Sequence, residues 1–108
     1  MVHPLDALLR PRSVAVIGAS RKRGTIAAEL FHNLVHFGFA GAVYPVNPTS
    51  SVVQSVRAYR SVLDIPDEVD LAVLVVPAAQ VLAAVEECGR KGVRGLVLIS
   101  AGFAEIGG

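Results

Sequence analysis

The sequence predicts an α/β protein built as a Rossmann-like, doubly wound parallel sheet. Its 108 residues are enough for one domain with a modest core. Short runs of Val, Ile and Leu alternate with segments of helical apolar spacing, and this alternation is typical of βαβ units. The first run ends in a glycine, and a glycine-bounded turn leads from it to a helix, as at the anion-binding corners of this fold class. The fourth predicted strand ends close to Gly108, so we expect a sheet truncated after its fourth strand, the first part of a longer protein.

The first half of the chain is predicted to form a strand, a helix and a second strand. Strand one covers about residues 13–18, and the helix covers about residues 25–37. Strand two covers residues 42–46, and Pro45 within it predicts an edge-like segment, because proline cannot donate a ladder hydrogen bond. The predicted inner stripe of the helix is Ile26, Leu30, Leu34 and Phe37, with Gly38 as its stop.

The second half is predicted to form a loop, a central strand, a helix and a last strand. Residues 49–66 are assigned to the loop, with a short extended piece at Ala58 and Tyr59. Residues 71–76 are apolar on both faces, which predicts a central strand, and residues 95–99 form the last one. Pro77 opens the second helix, which ends at Gly89 or Gly92; its predicted inner stripe is Val81, Leu82, Val85 and Cys88.

The turn between strand one and the first helix carries the strongest functional signal. It is bounded by Gly18 and Gly24 and contains three consecutive cations. The helix N-terminus beside it offers free N–H groups and the positive end of the helix dipole, which together attract an anion. The sequence therefore predicts binding of a phosphate-bearing nucleotide. Two plainer interpretations stay open: a solvated basic loop, and glycines that serve turn geometry alone.

A dinucleotide-binding site is a weaker interpretation of the same turn. The G-x-G-x-x-G fingerprint is absent, because Gly18 and Gly24 are separated by five residues. No acidic residue follows strand two to hold a ribose hydroxyl. An NAD(P)-binding half-domain of an oxidoreductase remains one alternative, and a ligand-free assembly module is another.

Composition and spacing weigh against several other classes of function. A net charge of +1 without a basic stripe argues against nucleic-acid binding. The longest apolar run, residues 71–79, contains Pro77 and is too short to span a membrane. The single Cys88 excludes an internal disulfide, so a reduced, cytoplasmic setting is expected. No catalytic set is evident, and the pair His32 and His36 lacks a third ligand, so neither catalytic nor metal-binding residues are assigned.

The hydrophobic content is high for a domain of this size. Hydrophobic residues make up 53% of the chain and charged residues only 18%. A sheet edge left open by a missing strand would expose unpaired backbone groups. We therefore expect self-association, as a homo-oligomer, or a partner at that edge.

Four motifs, in order along the chain, resemble a known family. They are residues 18–24 (GASRKRG), 43–48 (VYPVNP), 70–78 (DLAVLVVPA) and 98–103 (LISAGF). Together they are similar to the CoA-binding domain of ADP-forming acyl-CoA synthetases and of the succinyl-CoA synthetase alpha subunit. The same domain opens some bacterial protein lysine acetyltransferases with a synthetase-like regulatory region. The resemblance covers nearly all of residues 1–108, which it implies form one CoA-binding domain.

The resemblance implies that CoA lies across the carboxyl ends of the strands, where open parallel sheets bind ligands. Further synthetase domains or subunits are the implied partners, and the parent protein would be an acid–thiol ligase whose CoA-binding part is non-catalytic. The phosphates would be held by residues of the first turn, the adenosine end bordered by residues after strand two, and pantetheine lined by two later segments. In that order the implied residues are Gly18, Ser20, Arg21, Lys22, Arg23 and Gly24; Val46, Asn47 and Pro48; Val76, Pro77, Ser100, Ala101 and Gly102.

Two departures from the family pattern concern the same site. Ala27 stands where the family often has a further glycine, and Thr49 stands where a lysine often follows the Asn-Pro pair. A phosphate contact that the lysine would make is therefore expected to be lost or moved to the basic turn. The family's phosphohistidine lies in a later domain, so none of the three histidines here takes that role.

Overall fold

The computed structural model of the protein describes residues 10–18, 25–36 and 39–99. The strands are β1 (Ser13–Ile17), β2 (Ala42–Val46), β3 (Val52–Val53), β4 (Val56–Arg57), β5 (Leu71–Leu74) and β6 (Gly95–Leu98). Four of them form a central parallel sheet in the order β2-β1-β5-β6, and β3 and β4 pair as a separate antiparallel hairpin. The helices are α1 (Ile26–His36) and α2 (Val81–Lys91), with short 3₁₀ turns at Val62–Asp64 and Ala78–Gln80. The predicted fold class is confirmed.

Strand β1 shows how the sheet builds two cores from one sequence. All five of its residues are buried, and successive side chains point to opposite faces. Val14 and Val16 pack in a cluster with Phe31 of α1, whereas Ala15 and Ile17 pack in a second cluster with Cys88 of α2. The two helices therefore cover opposite faces, which is the doubly wound arrangement that the sequence predicts.

Strand β2 lies at an edge of the sheet, as Pro45 predicts. Its outer side is partly covered by Tyr59, whose backbone N–H donates to the carbonyl of Pro45 at 3.0 Å. The N–H of Asn47 in turn donates to the carbonyl of Tyr59 at 2.8 Å. The extended piece expected at Ala58 and Tyr59 is thus a short parallel bridge that ties the following loop to this edge.

The hairpin β3-β4 was not predicted, because its turn lacks the usual Asn-Gly or Asp-Gly pair. Gln54 and Ser55 occupy the turn with positive φ values of 49° and 68°. The side-chain amide of Gln54 donates to the carbonyl of Ala28 at 2.9 Å, which fastens the turn to α1. A tertiary contact here stabilises a turn that the local sequence does not favour.

Both predicted helical stripes are partly wrong. In α1 the buried residues are Ala27, Ala28 and Phe31, while Ile26 is exposed. In α2 Cys88 is buried and Leu82 is 83% exposed. The predicted residues Leu30, Leu34, Val81 and Cys88 do pack against the two cores. The small residues Ala27 and Ala28 were missed, because small side chains let a helix approach the sheet closely. Of the other predicted positions, Val85 is exposed, and Phe37 and the predicted stop Gly38 lie outside the described residues.

The ends of α2 differ slightly from the prediction. Pro77 precedes a 3₁₀ turn, Ala78–Gln80, and the α-helix begins after it. Gly92 ends the helix with a φ of 86°, and its N–H donates to the carbonyl of Cys88 at 3.1 Å. Within the described residues β6 pairs with β5 alone.

Candidate functional site

Gly18 stands where β1 and β5 come closest at the carboxyl ends of the strands. Its φ is +98°, and a Cβ built there would lie 2.1 Å from the carbonyl oxygen of Val75. Its N–H donates to the carbonyl of Val46 at 3.1 Å, and the N–H of Val75 donates to the carbonyl of Ile17 at 2.8 Å. Only glycine combines this backbone conformation with such a close approach.

A pocket of about 210 Å³ opens beside Gly18 on the α2 side of the sheet. Four residues predicted for the site line it together: Gly18, Val46, Pro48 and Val76. They come from the ends of β1, β2 and β5, which are parallel and so end at the same edge. The remaining lining residues, which were not predicted, are Ile17, Arg60, Val62, Gln80, Ala83, Ala84 and Glu87.

Asn47, another predicted site residue, holds the loop that carries Pro48. Its side-chain oxygen accepts hydrogen bonds from the N–H of Thr49 at 2.8 Å, the hydroxyl of Thr49 at 3.0 Å and the N–H of Ser50 at 3.0 Å. This is an Asx-type turn, in which the side chain replaces a backbone acceptor. Asn47 does not line the pocket; it fixes the backbone next to it.

Pro77 is likewise beside the pocket and not in its wall. It is exposed, and its carbonyl accepts from the N–H of Gln80 at 2.8 Å. The turn closed by this bond brings Gln80 and the first part of α2 to the pocket. Pro77 therefore acts on the pocket through backbone geometry.

Eight predicted site residues belong to the basic turn and to the last motif. Ser20, Arg21, Lys22, Arg23 and Gly24, with Ser100, Ala101 and Gly102, lie outside the described residues. Thr25, which follows the turn, caps α1: its hydroxyl accepts from the N–H of Ala28 at 3.1 Å. The N-terminus of α1 is thereby fixed directly after the basic turn.

Arg60 and Glu87 are charged residues of the pocket that sequence reasoning missed. Arg60 follows the Tyr59 bridge, which no short motif announces and which only the pairing with Val46 reveals. Glu87 accepts a hydrogen bond from the hydroxyl of Ser61, and that hydroxyl accepts one from the N–H of Leu63 at 3.1 Å. The pocket wall thus has one acid anchored by a neighbour and one exposed cation.

The histidine pair and Cys88 are the other candidate chemical groups of the sequence. The rings of His32 and His36 lie 4.4 Å apart, and the described residues contain no group of three His, Cys, Asp or Glu side chains that could hold a metal. Burial raises the pKa of the Cys88 thiol to about 11, so at neutral pH it is not a nucleophile. In the part of the chain that the structure describes, the helices are too short or too polar to span a bilayer.

A comparison with protein families shows which family the chain belongs to. A family model described as a CoA binding domain matches residues 12–105. The chain belongs to the CoA-binding domain family. The resemblance drawn from the four motifs is therefore confirmed.

The relatives of this CoA-binding domain are much longer proteins. The alpha subunit of ADP-forming acetate–CoA ligase I from Pyrococcus furiosus is 50% identical over 95% of this chain and 23% of its own length. The ADP-forming 4-hydroxybutyrate–CoA ligase from Nitrosopumilus maritimus is 48% identical over 92% of this chain and 14% of its own. The chain thus spans a quarter or less of these two relatives.

A solved structure shows the same fold. The dinucleotide-forming acetyl-coenzyme A synthetase 1 of Ca. Korarchaeum cryptofilum, in complex with phosphate and ADP, is 42% identical with a TM-score of 0.87. The match covers 95% of this chain and 22% of that one.

Proposed function

We propose that this domain binds CoA at the carboxyl ends of its parallel strands, as one part of an ADP-forming acyl-CoA synthetase. The observation that carries the proposal is the pocket beside Gly18, in which Val46, Pro48 and Val76 meet. From β1 the chain continues to β2 on one side of the pocket, and from β5 it continues to β6 on the other side. The strand order therefore reverses at this point, which is where open α/β sheets bind ligands.

The size of the pocket determines which part of CoA it can take. At about 210 Å³ it is smaller than the roughly 300–1,000 Å³ of sites that bury a whole drug-sized ligand. The apolar wall formed by Val46, Val62 and Val76 suits a flat ring or a stretch of the pantetheine arm. The rest of CoA would extend along the strand ends, with its diphosphate at residues 20–24.

Calorimetric titration of the domain with CoA tests the proposal. We expect saturable binding of CoA and weaker binding of NAD and NADP. Tighter binding of NAD or NADP would favour an oxidoreductase half-domain. A folded domain that binds none of the three ligands would leave an assembly module as the better interpretation.

A variant of the basic turn tests whether its three cations bind phosphate. Replacing Arg21, Lys22 and Arg23 with Ala should weaken CoA binding by about tenfold or more, because charge-assisted phosphate contacts are worth roughly 1.5–3 kcal/mol each. The loss should shrink at high salt, where such contacts are screened in the parent as well. Arg94→Ala is the matched control, since Arg94 lies at the opposite end of the sheet beside Glu68 and Asp70. Equal CoA affinity in the triple variant and the parent would make the turn a solvated surface loop.

The names of the relatives support a proposal for the activity of the whole protein. We propose that it forms a thioester from a carboxylic acid and CoA while ATP is cleaved to ADP and phosphate. Assay of the full-length parent protein should show ADP release that requires both CoA and an acid. CoA binding without ADP release would favour a regulatory region of a protein acetyltransferase.

A further inference from the structure

A polar groove of about 480 Å³ runs along the outer side of the loop that follows β2. Arg60 belongs to both this groove and the pocket beside Gly18, so the two depressions meet at its side chain. The groove is lined by one threonine, two serines, two arginines, one tyrosine, one alanine and one acid: Thr49, Ser50, Ser51, Arg57, Arg60, Tyr59, Ala58 and Asp64.

The charges of the groove favour an anion. Arg57 and Arg60 are both exposed, and within the described residues neither forms an ion pair. Asp64 is the single carboxylate among the lining residues, so positive charge exceeds negative charge. Arg57 stacks on Tyr59, with its guanidinium carbon 5.3 Å from the ring centroid. This stacking restricts the side chain before any ligand binds.

The walls of the groove are tied together by backbone hydrogen bonds. The N–H of Ala58 donates to the carbonyl of Ser51 at 2.8 Å, and Tyr59 is bonded to the edge of β2. Asn47 fixes the backbone of Thr49 and Ser50 on the opposite wall. The hydroxyl of Thr49 already donates to Asn47. The two guanidinium groups and the two serine hydroxyls of the lining are the donors that suit a phosphate monoester.

We propose that Arg60, with Arg57 beside it, binds the ribose 3′-phosphate of CoA in this groove and so determines specificity for CoA over dephospho-CoA. The inference rests on the proposed function and adds to it two residues in a stretch otherwise assigned to the loop. With the adenine ring in the pocket, the ribose phosphate would lie towards Arg60, which lines both the pocket and the groove. A phosphate monoester carries close to two negative charges, and an arginine fork binds two of its oxygens at once. Thr49, which replaces a lysine, then needs no charge.

Titration with CoA and with dephospho-CoA, which differ only in this phosphate, tests the inference. The unsubstituted domain should bind CoA about tenfold or more tightly than dephospho-CoA. Arg60→Ala should remove most of that difference by weakening CoA binding alone. Arg60→Lys should restore only part of it, because lysine keeps the charge without the fork. Arg57→Ala should act in the same direction, and Arg94→Ala should change neither affinity.

The outcomes separate this inference from the proposed function. A parent domain that binds neither ligand overturns both. A parent that binds CoA and dephospho-CoA equally overturns the inference and leaves CoA binding standing. Equal weakening of the two ligands by Arg60→Ala also overturns it, because the residue would then contact a part of CoA that both share. Thermal unfolding of each variant shows that the domain remains folded; Arg60→Gln serves as a second neutral variant if Arg60→Ala does not.

Discussion

Gly18 is the residue at which backbone geometry and the site coincide. Its φ is +98°, and the carbonyl oxygen of Val75, which follows β5, occupies the space that a Cβ would need. Because the Val75 carbonyl is backbone, it cannot move aside without disturbing the β1-β5 pairing. The glycine is therefore required by the fold, whether or not a ligand is present.

Substitution of Gly18 should be severely destabilising. Gly18→Ala adds a strained conformation and a backbone clash, and we expect a loss of about 3 kcal/mol in the free energy of unfolding. Gly89→Ala is the matched control, since nothing lies within 4 Å of a Cβ there and the position is helical. Gly89→Ala should stabilise the protein by about 0.5–1 kcal/mol. Denaturant unfolding measures both, and equal stability of the two variants would contradict the argument.

Cys88 gives a pH dependence with a defined sign. Burial raises the pKa of its thiol from 9.0 to about 11 in the folded protein, with a smaller contribution from nearby Glu87. As pH rises from 9 towards 11, the unfolded thiol loses its proton first, so the free energy of unfolding should fall. Cys88→Ala should flatten this part of the pH profile. Rapid alkylation of the native thiol by iodoacetamide at pH 8 would contradict its burial.

At the scale of elements, helix α1 depends on the cap at its first turn. Thr25 accepts the N–H of Ala28 through its hydroxyl and receives the N–H of Glu29 at its backbone carbonyl. The cap also sets where the helix N-terminus begins relative to the basic turn. A change in the cap should therefore affect both stability and anion binding.

Replacement of the cap tests this. Thr25→Ala should cost about 1 kcal/mol of stability, because one N–H of the first turn loses its partner. Thr25→Ser keeps the hydroxyl and should remain within a few tenths of a kcal/mol of the parent. Thermal unfolding compares the two. If serine and alanine destabilise equally, the methyl group of Thr25 and not its hydroxyl is the part that matters.

At the scale of the whole molecule, the edge of the sheet formed by β6 is poorly covered. Leu96, Val97 and Leu98 of β6 are exposed, and Leu82 of α2 is the most exposed large hydrophobic residue in the described part of the chain. The opposite edge, at β2, is partly covered by Tyr59. Within residues 10–99 as described, β6 pairs on one edge only, and apolar surface beside an open strand edge favours association with another chain.

We expect the isolated domain to self-associate through β6, or to bind a partner there. Light scattering over a range of concentrations should show an increase in mass that Leu98→Lys, combined with Leu82→Glu, reduces. Val52→Glu is the matched control, because Val52 is 50% exposed but lies on the hairpin. A monomer at high concentration would contradict the prediction, as would equal effects of the control and the double variant.

The fold class, the order of the parallel strands along the chain and the family could be predicted from the sequence alone. Apolar runs of strand length and the glycine that ends the first run are local signals, and the structure kept them. The resemblance to the family implied Val46, Pro48 and Val76 as site residues, and their meeting in one pocket agrees with the rule that parallel strands end at one edge of a sheet.

Which helical residues face the sheet, and which distant residues complete the site, depended on packing between elements and could not be predicted from the sequence. Ala27 and Ala28 are buried in place of Ile26 because close packing depends on size as well as hydrophobicity. The β3-β4 hairpin depends on the contact from Gln54 to α1. Arg60 reaches the pocket because Tyr59 pairs with the edge of β2, and such a pairing between distant segments leaves no periodic signal in the chain.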